Sequence, residues 1–226
     1  MRYVYLGVVT PDQSVAVDRA VFEARERGFV DDTVHVCSRD RRTISLGRFG
    51  SRSELLPPAA AVPCVRRMSG GGTVLTGPGQ IIISVTLGGG MPSRGRSFEI
   101  ICGGVSDALN DLGIDSEYSP PNDVLANGMK ISGGAQYRRG ECLLHHATLI
   151  IDGDPAVWDV LPRPAGSRYS DLTSVAECLG SIPDMAGVAR TAVERIAEGL
   201  GLALKPGRLT EWESERSGIR VSGSDP

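Results

Sequence analysis

The sequence predicts a mixed α/β domain of the α+β type, in which helices flank a largely antiparallel sheet. Two observations carry that expectation. Strand-like segments outnumber helical ones, and several are hairpin-joined, with Asn127-Gly128 the strongest short turn signal in the chain. Both favour a largely antiparallel sheet over a doubly wound one.

Each element has its own signal. Tyr3 to Val9 reads as a strand. Thr10-Pro11-Asp12-Gln13 then starts a helix, with Thr10 as N-cap, Pro11 at the first helical position and Gln13 completing a capping box. That helix should run to about Arg27 and stop at Gly28. Thr33–Cys37, Thr43–Phe49 and Val62–Met68 are strand candidates, and Gln80–Leu87 is an apolar strand. A glycine-rich loop, Gly88 to Gly95, follows. Ser97 is placed to cap a second helix with Phe98, Ile101, Val105, Ala108, Leu109 and Leu112 on one stripe, ended by Gly113. Asp123–Ala126 and Met129–Tyr137 flank the Asn127-Gly128 turn, and Cys142–Asp152 is a further strand. Asp154-Pro155 should open a short helix around Trp158. Pro162–Gly180 shows little regular pattern, and Asp184–Leu200 reads as a final amphipathic helix. We expect one catalytic domain over residues 1–217 and a polar tail over 218–226.

Bulk composition narrows the function classes. A chain of 226 residues that is 41% hydrophobic can bury a real core. Its formal charge of −3 gives no support to nucleic-acid binding. Five widely spaced cysteines without a C-x-x-C pair argue for reduced thiols and against a zinc site or disulfide framework. There is no long apolar N-terminal segment and no run approaching a membrane span. The expectation is a soluble, cytoplasmic protein.

The most informative stretch is Arg66 to Gln80, RRMSGGGTVLTGPGQ. Glycines between strand-like segments let a backbone pass close to a bound group. Adjacent guanidinium groups favour phosphate or carboxylate. Together they suggest an anion held against main-chain N–H groups. Neither G-x-x-x-x-G-K-[ST] nor G-x-G-x-x-G occurs, so a P-loop and a Rossmann site are unsupported. In the second stretch, Pro121 to Gln136, Lys130 and Ser132 alternate with Ile131, so both should point to one strand face beside two glycines. Taken alone, a lysine after a tight turn is a surface lysine; held there, it could offer a fixed charge to an anion. His145 and His146 are neighbours on a strand and face opposite sides, which disfavours a shared metal. One should hydrogen-bond inside the site and the other be structural.

These segments resemble the catalytic domain of the lipoate–protein ligase A family, within the biotin/lipoate ligase and octanoyltransferase superfamily. The matching residues are Arg66 to Val74, then Asn122-Asp123, then Lys130 to Ala135, then His145 to Leu149, with a later match at Ser167-Arg168-Tyr169 and Leu172 to Val175. They fall in the family order and extend from the N-terminus to about Gly180. The resemblance implies a class II synthetase-like or biotin-ligase-like fold. It also implies ATP, Mg²⁺ and lipoate: the acid is activated to lipoyl-AMP, then passed to a lysine of a carrier domain (a dehydrogenase E2 or glycine-cleavage H protein). By the same resemblance Lys130 is the catalytic residue, bridging the lipoate carboxyl and the α-phosphate. Arg67 contacts the phosphates, and Gly72, Thr73, Val74 and Leu75 line nucleotide and acyl chain. Ser69, Gly70, Gly71, Ser132, Gly133 and His146 complete the nucleotide and lipoyl pocket. Asn122 and Asp123 hold nucleotide, with Asp123 also on Mg²⁺. Ile81-Ile82-Ile83 would either wall the acyl tunnel or belong to the core.

Three departures keep alternatives open. Thr76-Gly77 stands where the family usually has His-Asp, and Gly77-Pro78-Gly79-Gln80 resembles the octanoyltransferases. His145-His146-Ala147 replaces the usual His-His-Gly. Larger bacterial ligases carry a C-terminal accessory domain, and this chain ends too soon for one; either a separate accessory chain supplies that part or the enzyme does not need it. The rival is an ATP-independent octanoyltransferase drawing on acyl carrier protein. Its cysteine would lie where this chain reads Leu161-Pro162-Arg163-Pro164 or Tyr118-Ser119-Pro120-Pro121. A non-catalytic lipoyl-binding subunit is the third reading. A biotin ligase fits less well, because Arg94-Gly95-Arg96 follows a strand rather than occupying the matching loop.

Overall fold

A computed structural model describes residues 1–153, 157–161 and 172–220, apart from the side chains of Glu54, Trp158 and Asp159. The later family match at 167–169, the helix start at 154–155 and the end of the tail lie outside the described residues.

The chain opens with β1 (Arg2–Val9) and α1 (Pro11–Glu26). The capping box at Thr10 and Gln13 forms as the sequence predicts, and Gly28 follows in the left-handed region. Strands β2 (Thr33–Arg39) and β3 (Thr43–Leu46) precede two 3-10 turns, Arg52–Glu54 and Pro57–Ala61. Then come β4 (Cys64–Arg66), β5 (Val74–Thr76) and β6 (Gln80–Gly88). Helix α2 (Arg94–Asp111) is capped by Ser93, four residues before the expected cap. Ser97 is buried within the helix, and its hydroxyl donates to the Arg94 carbonyl at 2.9 Å. Strands β7 (Ser116–Ser119), β8 (Asp123–Ala126), β9 (Met129–Arg139) and β10 (Cys142–Ile150) form a run of antiparallel neighbours. Asn127 and Gly128 both take positive φ, which the two-residue turn between β8 and β9 requires.

Helices α3 (Val157–Val160), α4 (Val175–Leu179), α5 (Met185–Leu200) and α6 (Glu211–Ser217), with the short β11 (Lys205–Pro206), complete the chain. Helix α4 lies in the stretch expected to be irregular. Its signal was a Ser174/Glu177 capping box ahead of only five helical residues, too short for periodicity to register.

The main sheet runs β11-β1-β2-β6-β10-β9-β8-β7, parallel only at β11-β1 and β1-β2. Helices α2 and α5 cover one face over the largest apolar cluster, which includes Ile81, Ile83, Val105, Leu109, Leu149 and Ile196. Helix α1 packs on the other face. A small sheet, β4-β3-β5, carries the glycine segment and has its own core around Ile44, Leu46 and Leu75. Among the described residues no helix is long and apolar enough to cross a membrane.

Candidate functional site

The glycine segment joins β4 to β5 as an exposed loop held from beneath. Arg67 is buried, and its Nη2 donates to the carbonyls of Gly70 and Gly72 at 2.8 and 2.7 Å. Its Nη1 donates to Ser45 O at 2.8 Å and its Nε to Ser69 Oγ at 3.0 Å. Burial, and then the nearby Arg39, lower its pKa to about 10, still charged at neutral pH. Four donor contacts go to the loop and the strand below it, so the guanidinium braces the glycine segment. Gly71 has φ +90°, and a Cβ on Gly47 would lie 2.1 Å from its carbonyl oxygen, so no side chain fits at position 47.

Under the loop lies a network that sequence reasoning missed. Ser69 Oγ is 2.6 Å from His146 Nε2, and His146 Nδ1 is 3.1 Å from Asp18 Oδ2. Asp18 Oδ1 also meets His35 Nε2 at 3.0 Å and accepts from Ser84 Oγ at 2.7 Å. An ionised carboxylate only accepts, so His146 donates its Nδ1–H to Asp18. Burial opposes the charge on Asp18. Hydrogen bonds from His146 and then His35 outweigh it and hold the carboxyl well below the usual range. The available signal was an acid between Val17 and Val21-Phe22, on the buried stripe of α1.

The second half of the site is built on β8 and β9. Lys130 Nζ lies 2.8 Å from Asp123 Oδ1; the lysine side chain is 27% exposed and the carboxylate 6%. A Cβ on Gly133 would stand 2.8 Å from Lys130 Nζ and 3.0 Å from Asp123 Oδ1, so the missing side chain makes room for the pair. Asn122 fixes the approach: its Nδ2 donates to Gly134 O at 2.8 Å, and Gly134 N–H donates to Asn122 O at 2.7 Å.

The expected alternation of Lys130 and Ser132 fails. The β8-β9 register shifts between Val124 and Leu125, which pair with Ser132 and Lys130 and leave Ile131 as a bulge. Ser132 therefore lies opposite Val124 and Leu149, both in the main core, while the lysine head lies on the face of Gly133.

Strand β9 joins the two halves. Gly133 pairs with Asp123, and two residues on, Ala135 pairs with His146. Residues two apart on a strand share a face at a spacing of about 7 Å. Lys130-Asp123 and His146-Ser69 are thus neighbours on the α1 side of the sheet.

Other expected positions divide by burial. Val74 stands 37% exposed at the loop rim, whereas Leu75 fills the core of the small sheet. Ile81 and Ile83 belong to the main core, and only Ile82 points to the opposite face. Thr76 is internal: it accepts from Arg39 Nη1 at 2.6 Å and donates to Thr43 O at 3.3 Å. Burial pushes the Cys37 and Cys102 thiols up to about 12, with Asp18 and Asp123 as the next causes. Among the described residues no group of three His, Cys, Asp or Glu side chains could hold a metal. Asp123, already on Lys130, could hold Mg²⁺ only together with phosphate oxygens.

His145 points the other way, toward α2. Its Nδ1 is 3.1 Å from Gln136 Nε2, and Phe98 packs edge-on 5.2 Å away. Burial and then the neighbouring His146 depress its pKa to about 3. The unfolded chain, with an ordinary imidazole near 6.5, takes up the proton first. Stability should therefore fall as pH drops from about 6.5 toward 3, by up to about 1.4 kcal/mol per pH unit. His145→Gln should flatten that slope in thermal melts across the same window. An unchanged slope would remove His145 as its source.

Residues 10–198 match the family model described as the lipoyl protein ligase A/B catalytic domain. An octanoyltransferase LipM from Kyrpidia tusciae is 28% identical, over 95% of this chain and 92% of its own length. Lipoate-protein ligase LplJ from Bacillus subtilis is 37% identical over a shorter stretch, 39% of this chain and 26% of that protein. In fold, the chain is similar to a bi-partite lipoate protein ligase from Thermoplasma acidophilum, with a TM-score of 0.82 and 21% identity over 96% of this chain and 90% of that one. A biotin protein ligase from Aquifex aeolicus shares the architecture more distantly, with a TM-score of 0.53 and 15% identity over 89% of this chain and 69% of that one. With the match spanning most of its length, this chain belongs to the lipoyl protein ligase A/B catalytic-domain family.

Proposed function

We propose that the chain is an ATP-dependent lipoate–protein ligase, forming lipoyl-AMP and then acylating a lysine of a lipoyl carrier domain. One observation carries this reading: an ammonium and a buried carboxylate 2.8 Å apart, on the same sheet face as the braced glycine loop. Negative charge builds on the α-phosphoryl oxygens as the acid attacks, and Lys130 supplies a preorganised positive charge for it. Asp123 and Asn122 orient that lysine, and Asp123 with substrate phosphates would hold Mg²⁺, which supplies charge neutralisation when bound. The loop offers its backbone N–H groups between Gly70 and Thr73. A lipoate protein ligase of the same fold has been crystallised with ATP, and another with lipoic acid.

The LipM match over nearly the whole chain favours a second reading, acyl transfer without ATP. That chemistry uses a thiolate. What counts against it is that neither position where such a cysteine would lie, Leu161-Pro162-Arg163-Pro164 or Tyr118-Ser119-Pro120-Pro121, holds one.

The test is direct. The chain is incubated with an apo lipoyl carrier domain, lipoate and Mg-ATP, and the carrier is weighed by mass spectrometry. An ATP-dependent lipoyl mass gain is expected. A gain from octanoyl-acyl carrier protein alone would replace the ligase with the transferase.

A further inference from the structure

The second step of the proposed reaction brings a protein-borne lysine to the activated acyl group, so a surface beside the glycine loop must meet another protein. Phe49 stands there, 86% exposed, the most exposed large apolar side chain among the described residues. Its turn, residues 47–50, is firmly braced. Arg66 Nη1 donates to the carbonyls of Gly47, Arg48 and Gly50 at 2.9, 3.1 and 2.8 Å. Arg48 N–H donates to Ser69 O at 2.8 Å, tying the turn to the glycine loop. The Arg48 guanidinium also lies 5.7 Å from the Phe49 ring and 5.3 Å from the Tyr137 ring.

Charge around this turn runs against the chain as a whole. From Arg41 to Arg67 the sequence holds six arginines and one acid, Glu54, in a protein of net charge −3. Arg48, Arg52 and Arg66 are exposed. An aromatic side chain set among arginines is the composition of interface hot spots, and a braced tip loses little conformational freedom on binding.

We propose that Phe49, with Arg48, Arg52 and Arg66, forms the docking face for an acidic carrier domain in the ligase reaction proposed above. Phe49 enters an apolar recess on the carrier, and the arginines face its carboxylates. A second copy of this chain fits less well, since a two-fold contact would set these arginines against their own kind.

The experiment titrates the full chain with an isotope-labelled apo lipoyl carrier domain and follows binding by NMR, alongside sedimentation of the chain alone. Wild type should bind, more weakly as salt rises from about 50 to about 200 mM. Phe49→Ala should weaken binding about tenfold, and Phe49→Asp further. In turnover, Phe49→Ala should raise KM for the carrier with little change in kcat and leave carrier-independent pyrophosphate release untouched. Absence of wild-type binding, or equal affinity in Phe49→Ala, would overturn the docking face. So would a Phe49-dependent dimer of the chain itself. Phe49-dependent carrier binding without adenylate formation would leave the docking face standing and remove the ligase reading instead.

Discussion

Lys130→Gln should cut adenylate formation by about 10²–10³-fold while the chain still folds, the effect typical of removing one preorganised donor from a developing oxyanion. Glutamine is the informative choice because its amide still offers Asp123 a hydrogen bond. Lys130→Ala would leave the buried carboxylate without the partner 2.8 Å away, and would mix catalytic loss with destabilisation. Lys130→Arg keeps the charge but replaces a compact ammonium with a planar fork, in a space that even a Cβ on Gly133 would crowd. It should recover little activity. Pyrophosphate release in the presence of lipoate and Mg-ATP measures the first step alone. A normal rate in Lys130→Gln, with an unchanged melting temperature, would remove Lys130 from the chemistry.

Much of this site was legible in the sequence because its parts are local. The Asn127-Gly128 turn and the Thr10 capping box each act within a few residues, and each forms as expected. The opposed faces of His145 and His146 follow from strand geometry alone, and the structure gives one to the site and the other to the α2 side. What failed depended on register or distance. Ile131 bulges because β8 and β9 slip by one residue after Val124, a property of the pairing that β9 does not announce by itself. The brace that Arg67 makes to Ser45 O, on another strand of the small sheet, was likewise not to be read from its neighbour Arg66. Asp18 was the largest omission. It lies 128 residues from His146 and 66 from Ser84, and only the folded sheet shows what it binds.

Asp18 therefore carries the other large prediction. Asp18→Ala should destabilise the chain by about 3–5 kcal/mol, the usual cost of removing one member of a buried charged network. At about 2–4 °C per kcal/mol for a domain of this size, the melting temperature should fall by roughly 10 °C. His35 and His146 would both lose their acceptor, and Ser84 would lose its own. Ser69→Ala acts at the other end of the same chain of bonds. It removes only a neutral hydroxyl, a loss of about 1 kcal/mol in stability. Yet it cuts the link from His146 to the glycine loop and takes an acceptor from Arg67. The two variants should thus separate: Asp18→Ala shows mainly in melting, Ser69→Ala mainly in turnover. Acid should not reproduce the Asp18 effect above about pH 4, because that stabilisation is fully present above the unfolded carboxylate range and is lost only as pH falls below it toward the depressed folded value. The first acid loss belongs to His145 instead, between about 6.5 and 3. If Ser69→Ala melted as early as Asp18→Ala and retained full turnover, the network would be a core feature with no hold on the loop.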